Sequence, residues 1–495
     1  MVNGDLNEVE GKRKELILYL RSMGINPFGE KFVTLHTNKE LKKEFDKYGN
    51  EEIKAKGRVI AIRGHGKASF VVVRDFSSDI QLYFRFDNLG EEKYKFFKKA
   101  LDIGDIIGAK GVLFKTHTDE ITVEVKDFIL LSKSIRLLPE KWHGLKDSEI
   151  RYRKRYLDLI ANREVLDLFV KRSEIVDAIR AFLKNKGFLE VETPMLQSVA
   201  GGAMAKPFTT YYNALDQNMY LRIAPELYLK RLIIGGFEKV FELNRNFRNE
   251  GLSAKHNPEF TMMEVYWAYA DYKEMMILTE ELIYATAKEV LGKESVQFKE
   301  DDINLSPPFS RISFAEAFKK YTDIDVDELR DTERAKKVLE TLDIRMNKPL
   351  TFGNVINEIF DKRVETHFVQ PTFVYDYPLE ISPLAKRKND DPHTVERFEL
   401  FIGGMEIANA FSELNDPIDQ YKRFKGQLEA KNDGGEETHM MDTDYIEAME
   451  YGLPPTGGLG IGIDRLIMLL TGKESIREVI LFPQLKTKTD DEEKE

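Results

Sequence analysis

The chain has 495 residues, of which 42% are hydrophobic, and carries a formal net charge of −11 at pH 7. It is too long for one ordinary domain and has ample apolar side chains for a large core. The absence of cysteine excludes disulfides, a thiol nucleophile and a thiolate zinc site. The N-terminus is polar, and no apolar run approaches the ~20 residues that a membrane-spanning helix needs, so a cytoplasmic protein is expected.

The first part of the chain changes its periodicity near residue 53. Residues 1–52 have a helical pattern, and apolar residues then alternate with a period of two. One helix, Gly90–Ala100, is predicted between the third and fourth of five strands. These strands are Arg58–Arg63, Ala68–Asp75, Ile80–Phe86, Ile106–Phe114 and Ile121–Leu130. This order is typical of an OB-fold β-barrel, which is predicted over residues 53–133.

The predicted barrel is more basic than the rest of the chain, with 15 Lys and Arg against 11 Asp and Glu. OB-fold barrels bind single-stranded nucleic acid through basic grooves and aromatic stacking. Arg63, Phe70, Gln81 and Phe84 could serve in this way. In the alternative interpretation both phenylalanines belong to the barrel core, and on these residues alone that interpretation is favoured.

A linker is predicted over residues 134–147, and a second domain over residues 148–495. The second domain alternates irregularly between helical and strand-like patterns, without a regular βαβ order. The helical patterns lie near residues 148–161, 164–185, 273–291 and 332–342. This arrangement predicts an α+β domain built on an antiparallel sheet flanked by helices.

Two strand-like runs in the second domain, residues 240–250 and 260–266, predict a hairpin. Alternation puts polar side chains of both runs on one face. That face would present an arginine, two acids, an aromatic ring and a phenol to one cavity, namely Arg248, Glu250, Glu264, Phe260 and Tyr266. A solvated sheet face with a few charges is the alternative, and on these residues the two interpretations have equal weight.

A second hairpin is predicted to turn at Gly403-Gly404. A two-residue turn places Glu399 opposite Ala408 and makes Glu406 its diagonal neighbour, about 7–8 Å away on the same face. Two carboxylates at this separation repel each other unless a cation lies between them. Hard oxygen ligands suit magnesium that carries a substrate phosphate. The alternative is a pair of exposed glutamates.

A glycine-rich strand near the C-terminus has glycine at positions 458, 460 and 462, which share one face. Glycine in a strand often marks the close approach of a ligand. The strand leads into an apolar helix with Arg465 at its start, and such a helix start is a natural polyphosphate site. No Walker loop and no G-x-S-x-G element occur in the sequence.

Three segments of the second domain resemble the signature motifs of class II aminoacyl-tRNA synthetases. They are Gly187–Pro194, then Phe247–Glu250 with His256–Phe260, and Gly460–Arg465. The resemblance covers nearly the whole chain, including the N-terminal barrel typical of subclass b. Ala224–Lys230 and Phe411–Asp416 are similar to segments of the lysyl-tRNA synthetases of that subclass.

The resemblance implies an enzyme that activates lysine with ATP and magnesium and loads it onto tRNA(Lys), as a homodimer joined through the first motif. Arg248 and Arg465 would be catalytic. ATP would be bound by Arg248, Glu250, His256, Asn257, Phe260, Glu406 and Arg465. Lysine would be bound by Glu226, Glu264, Tyr266, Asn409 and Glu413. Glu399 and Glu406 would bind magnesium, and Arg63, Phe70, Gln81 and Asp127 would contact the anticodon, with Asp127 standing where the family pattern has glutamate.

Three alternatives to this function stay open. An aspartyl- or asparaginyl-tRNA ligase of the same subclass would need a pocket for a carboxylate or an amide, which Glu226 and Glu413 do not suit. Relatives that attach lysine to a protein lack the N-terminal barrel. A catalytically silent, RNA-binding regulatory scaffold is the third alternative, and intact Arg248, Glu399 and Arg465 argue against it.

Overall fold

The computed structural model describes residues 2–49, 51–138, 145, 147–346, 348–432 and 441–487. The chain divides into two compact units, Met1–Lys146 and Asp147–Glu495. The predicted domain bounds stay a prediction, and residues 139–144 and 146 of the predicted linker lie outside the described residues. Among the described residues, no helix combines the length and apolarity needed to cross a bilayer.

The N-terminal unit contains a closed five-stranded barrel in the order β1-β2-β3-β5-β4. Its helices are α1 (Val2–Ser22), α2 (Asn38–Lys43), α3 (Phe45–Tyr48) and α4 (Phe86–Ala100). Its strands are β1 (Glu52–His65), β2 (Ala68–Arg74), β3 (Asp79–Arg85), β4 (Ile106–Lys115) and β5 (Ile121–Ser132). The predicted OB fold is therefore confirmed, including the helix between the third and fourth strands.

Buried and more exposed side chains alternate along the barrel strands, as the sequence pattern predicted, and the buried ones form the core. On β2, Val71 and Val73 are fully buried while Phe70 is only half-buried. Phe84 is fully buried and stacks on Phe97, with ring centroids 4.3 Å apart. The candidate role of Phe84 in base stacking is therefore wrong, because its ring belongs to the core.

The C-terminal unit is built on an eight-stranded sheet in the order β14-β15-β16-β17-β18-β11-β10-β6. Its first strands are β6 (Leu189–Glu190), β7 (Leu196–Gln197), β8 (Thr209–Tyr212), β9 (Gln217–Leu221), β10 (Lys239–Phe247), β11 (Glu259–Ala268), β12 (Ser295–Phe298) and β13 (Asp301–Asn304). The others are β14 (Ser310–Ser313), β15 (Thr372–Pro378), β16 (Thr394–Ile402), β17 (Met405–Ser412) and β18 (Thr456–Gly462). Along the sheet, each neighbouring pair in the order β15-β16-β17-β18-β11-β10 is antiparallel, which confirms the predicted antiparallel sheet.

The helices of this unit flank the sheet. They are α5 (Ser148–Arg153), α6 (Arg155–Ala161), α7 (Arg163–Asn185), α8 (Glu226–Ile234), α9 (Tyr272–Leu291), α10 (Phe314–Thr322), α11 (Thr332–Thr341), α12 (Phe352–Arg363), α13 (Pro417–Asn432), α14 (Thr443–Glu450), α15 (Ile463–Thr471) and α16 (Ile476–Val479). Apolar residues of α7, α9 and α15 pack with one face of β11, β16, β17 and β18 in the largest core cluster. Because side chains alternate along a strand, the polar residues of these strands point to the opposite face.

The β16–β17 hairpin turns at Gly403-Gly404, where both residues have positive φ (62° and 68°), as a two-residue hairpin turn requires. The predicted pairing of Glu399 with Ala408 is wrong, because the register shifts between Leu400 and Phe401. This bulge inserts Ile407 on β17, so that Glu399 lies opposite Asn409.

Candidate functional site

A cavity of about 380 Å³ opens on the polar face of the large sheet, and it brings together most of the predicted site residues of the C-terminal unit. Those that line it are Glu226, Arg248, Glu250, His256, Asn257, Phe260, Glu264, Tyr266, Glu406, Asn409, Glu413 and Arg465. They come from segments almost 240 positions apart in the sequence, which meet because β17, β18 and β11 are neighbours in the sheet. The size and the mixed lining suit a small polar ligand.

Strand β18 forms the floor of this cavity with its glycines. In register, Gly458 lies opposite Tyr266, and Gly460 lies between Glu264 and Asn409. A Cβ on Gly458 would overlap Glu413 Oε1, and a Cβ on Gly460 would come 2.5 Å from Met262 Cε. Glycine fits both positions because the side chains of Glu413 and Met262 already fill the volume that a Cβ would occupy.

Gly458→Ala is expected to displace the Glu413 carboxylate, since the new methyl group also approaches Tyr266 Cε1 to 3.0 Å. Overpacking of this kind lowers the free energy of unfolding by about 1–3 kcal/mol. Chemical denaturation of the variant checks this value. Gly426→Ala is the matched control, because a Cβ at Gly426 on α13 meets nothing within 4 Å. Equal stability of the two variants would contradict the close packing at Gly458.

One end of the cavity is cationic. Arg248 lies over the ring of Phe260 at 5.2 Å and donates a long hydrogen bond of 3.4 Å to the carbonyl of Ile223. Arg465 contacts His256 Nε2 at 3.0 Å and Glu406 at 3.1 Å. These two guanidinium groups provide positioned donors for anionic oxygens.

His256 is held in a neutral state at this end of the cavity. Burial, together with the charge of Arg465, lowers the pKa of His256. The guanidinium of Arg465 donates to Nε2, so the proton of the neutral ring lies on Nδ1, which is 2.8 Å from Ser253 Oγ. The imidazole therefore adds a directed polar group and no further charge.

Asp464 fixes the position of its neighbour Arg465. Its carboxylate accepts from the backbone N–H of Thr261 at 2.7 Å and pairs with Arg172 at 2.6 Å. These contacts tie the start of α15 to β11 and α7. Asp464 belongs to the third predicted motif, but the motif alone did not predict this role.

The two predicted magnesium ligands lie in an acidic surrounding. Burial, with the charge of Glu406 adding to it, raises the pKa of Glu399 to about 7, against the opposing charge of Arg397. Burial and the charge of Glu399 likewise raise the pKa of Asp361 to about 7. Glu399 accepts from Tyr377 at 2.7 Å and from Arg397 at 2.5 Å. A largely buried carboxylate at Glu399, beside the partly exposed Glu406 that pairs with Arg465, offers oxygen ligands of the kind a divalent cation takes, although the described residues contain no cluster of three or more metal-ligating side chains.

The other end of the cavity contains three buried carboxylates, those of Glu226, Glu264 and Glu413, which are 6%, 4% and 1% exposed. Tyr266 donates to Glu264 at 3.0 Å. Burial and the charge of Glu226 raise the pKa of Glu264 to about 8. Lys230 Nζ lies 2.5 Å from Glu226 and also forms an ion pair with Glu413. One buried ammonium group therefore lies against two of the three buried carboxylates.

Lys230 and Arg397 were not among the predicted site residues. Arg397 donates to Asn409 Oδ1 at 3.1 Å and to Glu399, so it orients two predicted site residues at once. The signal for Lys230 was its position four residues after Glu226 on a helix that is otherwise largely apolar. A charged residue on a buried helix face requires a partner of opposite charge.

The barrel residues predicted to contact an anticodon lie in different settings. Arg63 is exposed and lies next to Phe70 in the β1–β2 register, and Phe70 stacks on Tyr83 at 4.7 Å. Gln81 accepts from Thr122 at 2.8 Å, and Asp127 pairs with Lys93 at 2.8 Å. The pairing of Asp127 places it beside α4. Tyr83 and its neighbour Phe114, at 5.9 Å, extend the aromatic row and were not selected from the sequence.

Comparison with known proteins agrees with this architecture. A family model for "tRNA synthetases class II (D, K and N)" matches residues 147–486, and a model for "OB-fold nucleic acid binding domain" matches residues 53–131. The chain belongs to the class II tRNA synthetases, and the predicted family is confirmed.

Curated relatives named lysine–tRNA ligase match the chain over nearly its full length. The one from Carboxydothermus hydrogenoformans is 55% identical over 486 residues, which cover 98% of this chain and 99% of the relative. The one from Pelotomaculum thermopropionicum is 55% identical over 97% of this chain and 96% of its own. The one from Bacillus cytotoxicus is 50% identical over 99% of both chains.

Proposed function

We propose that the chain is a lysine–tRNA ligase, which forms lysyl-adenylate and pyrophosphate from lysine and ATP and then transfers the lysyl group to the 3′ end of tRNA(Lys). The observation that supports it best is the charge layout of the cavity. Glu413 and Glu264 lie at Gly458 and Gly460 of β18, and the guanidinium of Arg248 lies over Phe260, four positions before Glu264 on β11. A molecule with a cationic side chain and a carboxylate fits this layout.

In the proposed pocket, Glu413 accepts the side-chain ammonium of lysine. Its Oε1 is buried and has no hydrogen-bond partner among the described residues, and it faces the floor at Gly458. Glu226 adds charge, while Glu264, Tyr266 and Asn409 complete the pocket. An ammonium group has three donors and needs such acceptors. An aspartate or asparagine side chain would instead meet repulsion or unpaired carboxylates, which disfavours the related specificities.

The proposed reaction begins when a lysine carboxylate oxygen attacks the α-phosphorus of ATP. The bond from the α-phosphorus to the bridging oxygen breaks, and pyrophosphate leaves with the electron pair. The nucleophile is already ionised, so positioning and charge stabilisation suffice. Arg248 holds the α-phosphate and the lysine carboxylate, and Arg465 with His256 holds the outer phosphates. In the second step a terminal ribose hydroxyl of tRNA attacks the lysyl carbonyl carbon, and the bond from that carbon to the phosphate oxygen breaks. AMP leaves with the electron pair, and the hydroxyl proton passes to the phosphate oxygen or to solvent.

The remaining ATP contacts follow from the family resemblance. Glu250 would accept from the adenine amino group, Phe260 would stack on the ring, and Asn257 would support this wall through its bond to the carbonyl of Glu259 at 2.6 Å. Glu399 and Glu406 would hold magnesium, which neutralises phosphate charge when bound. We further propose a homodimer in the cytoplasm, with an N-terminal extension (1–52), an anticodon-binding barrel (53–133), a linker (134–147) and a catalytic domain (148–495).

Charging of unfractionated tRNA with labelled lysine tests this function. The expected result is label that is bound to tRNA and released by mild alkali, with no label from aspartate or asparagine. Label attached to protein instead would indicate a lysine-to-protein ligase. Absence of label on tRNA, in folded protein, would favour the regulatory scaffold.

The anticodon proposal has its own test at Phe70. Base–aromatic stacking contributes about 1–3 kcal/mol per base, so Phe70→Ala is expected to raise the KM for tRNA by about 5- to 150-fold. Amino-acid activation without tRNA should not change. Phe76→Ala is the matched control, because Phe76 is 69% exposed and lies outside the Phe70–Tyr83 row. Equal effects of the two variants on charging would contradict the role of Phe70.

A further inference from the structure

Lys230 is a fully buried cation directly behind the acidic end of the cavity. It lies on α8, is 0% exposed, and pairs with Glu226 on its own helix and with Glu413 at the end of β17. The rings of Phe411 and Tyr445 enclose its ammonium group at 5.6 and 6.0 Å. Lys230 does not line the cavity, so it acts on a ligand only through the two glutamates.

Several charged or titratable groups surround this ammonium group. Glu226 and Arg231 come from α8, Glu413 follows β17, and Tyr445 comes from α14. Glu264 and Tyr266 of β11 face the two glutamates. Burial lowers the pKa of Lys230, but the charges of Glu226 and Glu413 outweigh it and raise that pKa well above its usual range. Lys230 therefore stays charged throughout the neutral range.

Burial raises the pKa of both Glu226 and Glu413, and the charge of Lys230 opposes this rise. With both carboxylates ionised, one lysine between them leaves a single negative charge, which matches one ammonium group. Without that lysine, two buried carboxylates would repel each other, and the pair would retain a proton. A proton on the pair would compete with a cationic ligand. Removal of one partner from a buried ion pair leaves an uncompensated charge, so the neighbouring carboxylates would also lose their orientation.

We propose that Lys230 is the positioning residue for lysine specificity, which offsets the mutual repulsion of Glu226 and Glu413 and directs the free Oε1 of Glu413 toward the substrate ammonium. This inference rests on the proposed lysine activation. It adds a residue that touches no substrate but sets the charge and geometry of those that do. Its failure is separable from failure of the proposed function, because lysine-dependent ATP–pyrophosphate exchange by wild type with an unchanged lysine KM in the Lys230 variant would refute only the inference.

The test compares wild-type protein with Lys230→Met in lysine-dependent ATP–pyrophosphate exchange, from about pH 6.5 to about pH 8.5. Lys230→Met is expected to raise the KM for lysine by about 100-fold near pH 7, with the KM for ATP within about threefold of wild type. The lysine KM of wild type should fall as pH rises toward about 8, because Glu264 loses its proton there. In the variant one further proton must leave, so its lysine KM should fall by up to about tenfold more per pH unit.

A charge-compensated variant separates this role from packing. Lys230→Met with Glu226→Gln again leaves one negative charge, so its lysine KM should move back toward wild type and lose the extra pH dependence. If Lys230→Met unfolds while the double variant folds and activates lysine, the charge role is supported. A folded Lys230→Met with an unchanged lysine KM, equal changes for lysine and ATP, or unfolding of both variants would overturn the proposal.

Discussion

Arg248→Ala is expected to lower kcat/KM for amino-acid activation by about 10³-fold, which corresponds to about 4 kcal/mol of transition-state stabilisation. Arg248 is the guanidinium that lies over Phe260 at the cationic end of the cavity. Negative charge accumulates on the α-phosphate as the lysine carboxylate attacks, and a bidentate donor stabilises it best. Arg248→Lys should recover little, since an ammonium group cannot reproduce the two parallel hydrogen bonds.

Arg245 offers a matched control for Arg248. It lies on the same hairpin, its side chain is 38% exposed, and it pairs loosely with Glu259 at 3.7 Å. Arg245→Ala should change kcat/KM by less than about threefold, because an exposed pair contributes about 0–1 kcal/mol. Steady-state ATP–pyrophosphate exchange measures both variants. Similar losses from Arg245→Ala and Arg248→Ala would show that neither arginine acts on the reacting phosphate.

Glu413→Gln is expected to raise the KM for lysine by at least about 100-fold and to leave the KM for ATP within about threefold. The amide keeps the size of the side chain but removes the charge that we assign to the substrate ammonium. Glu447→Gln, on the exposed side of α14, is the control and should behave as wild type. A rise in both KM values by the same factor would indicate a general distortion of the cavity.

Glu226→Gln should raise the KM for lysine far more than the KM for ATP, as is expected for Glu413→Gln. The effect is expected to be smaller, because Glu226 Oε1 is already engaged by Lys230 at 2.5 Å. The same exchange assay reports it. Equal changes for lysine and ATP would remove Glu226 from the lysine pocket.

Local patterns predicted most of the architecture. The alternation of β2 and β3 is strict enough to mark the barrel strands, and the positions of Gly403 and Gly404 predicted the turn. The register of that hairpin could not be predicted, because a bulge at Ile407 leaves no mark on the sequence. Alternation also does not show which face of a strand is buried, so Phe70 and Phe84 were not separated until the barrel was seen to close.

The candidate site was predicted from short segments, but its charge balance was not. Glu226, Glu264 and Glu413 belong to a helix start, a strand and a strand end, and only the order of β17, β18 and β11 brings them together. The cation among them was missed because Lys230 resembles any lysine of an amphipathic helix. The ion pairs of Lys230 with Glu226 and Glu413 already compensate part of the charge of these carboxylates.

The most direct test of the proposed function is ATP–pyrophosphate exchange by purified protein with magnesium and each proteinogenic amino acid supplied separately. We expect exchange that depends on lysine, with the other amino acids at background. Exchange driven by aspartate or asparagine would contradict the assignment of the acidic pocket while preserving the enzyme class. If none of the amino acids supports exchange, in protein shown to be folded, the proposed activation step itself would be contradicted.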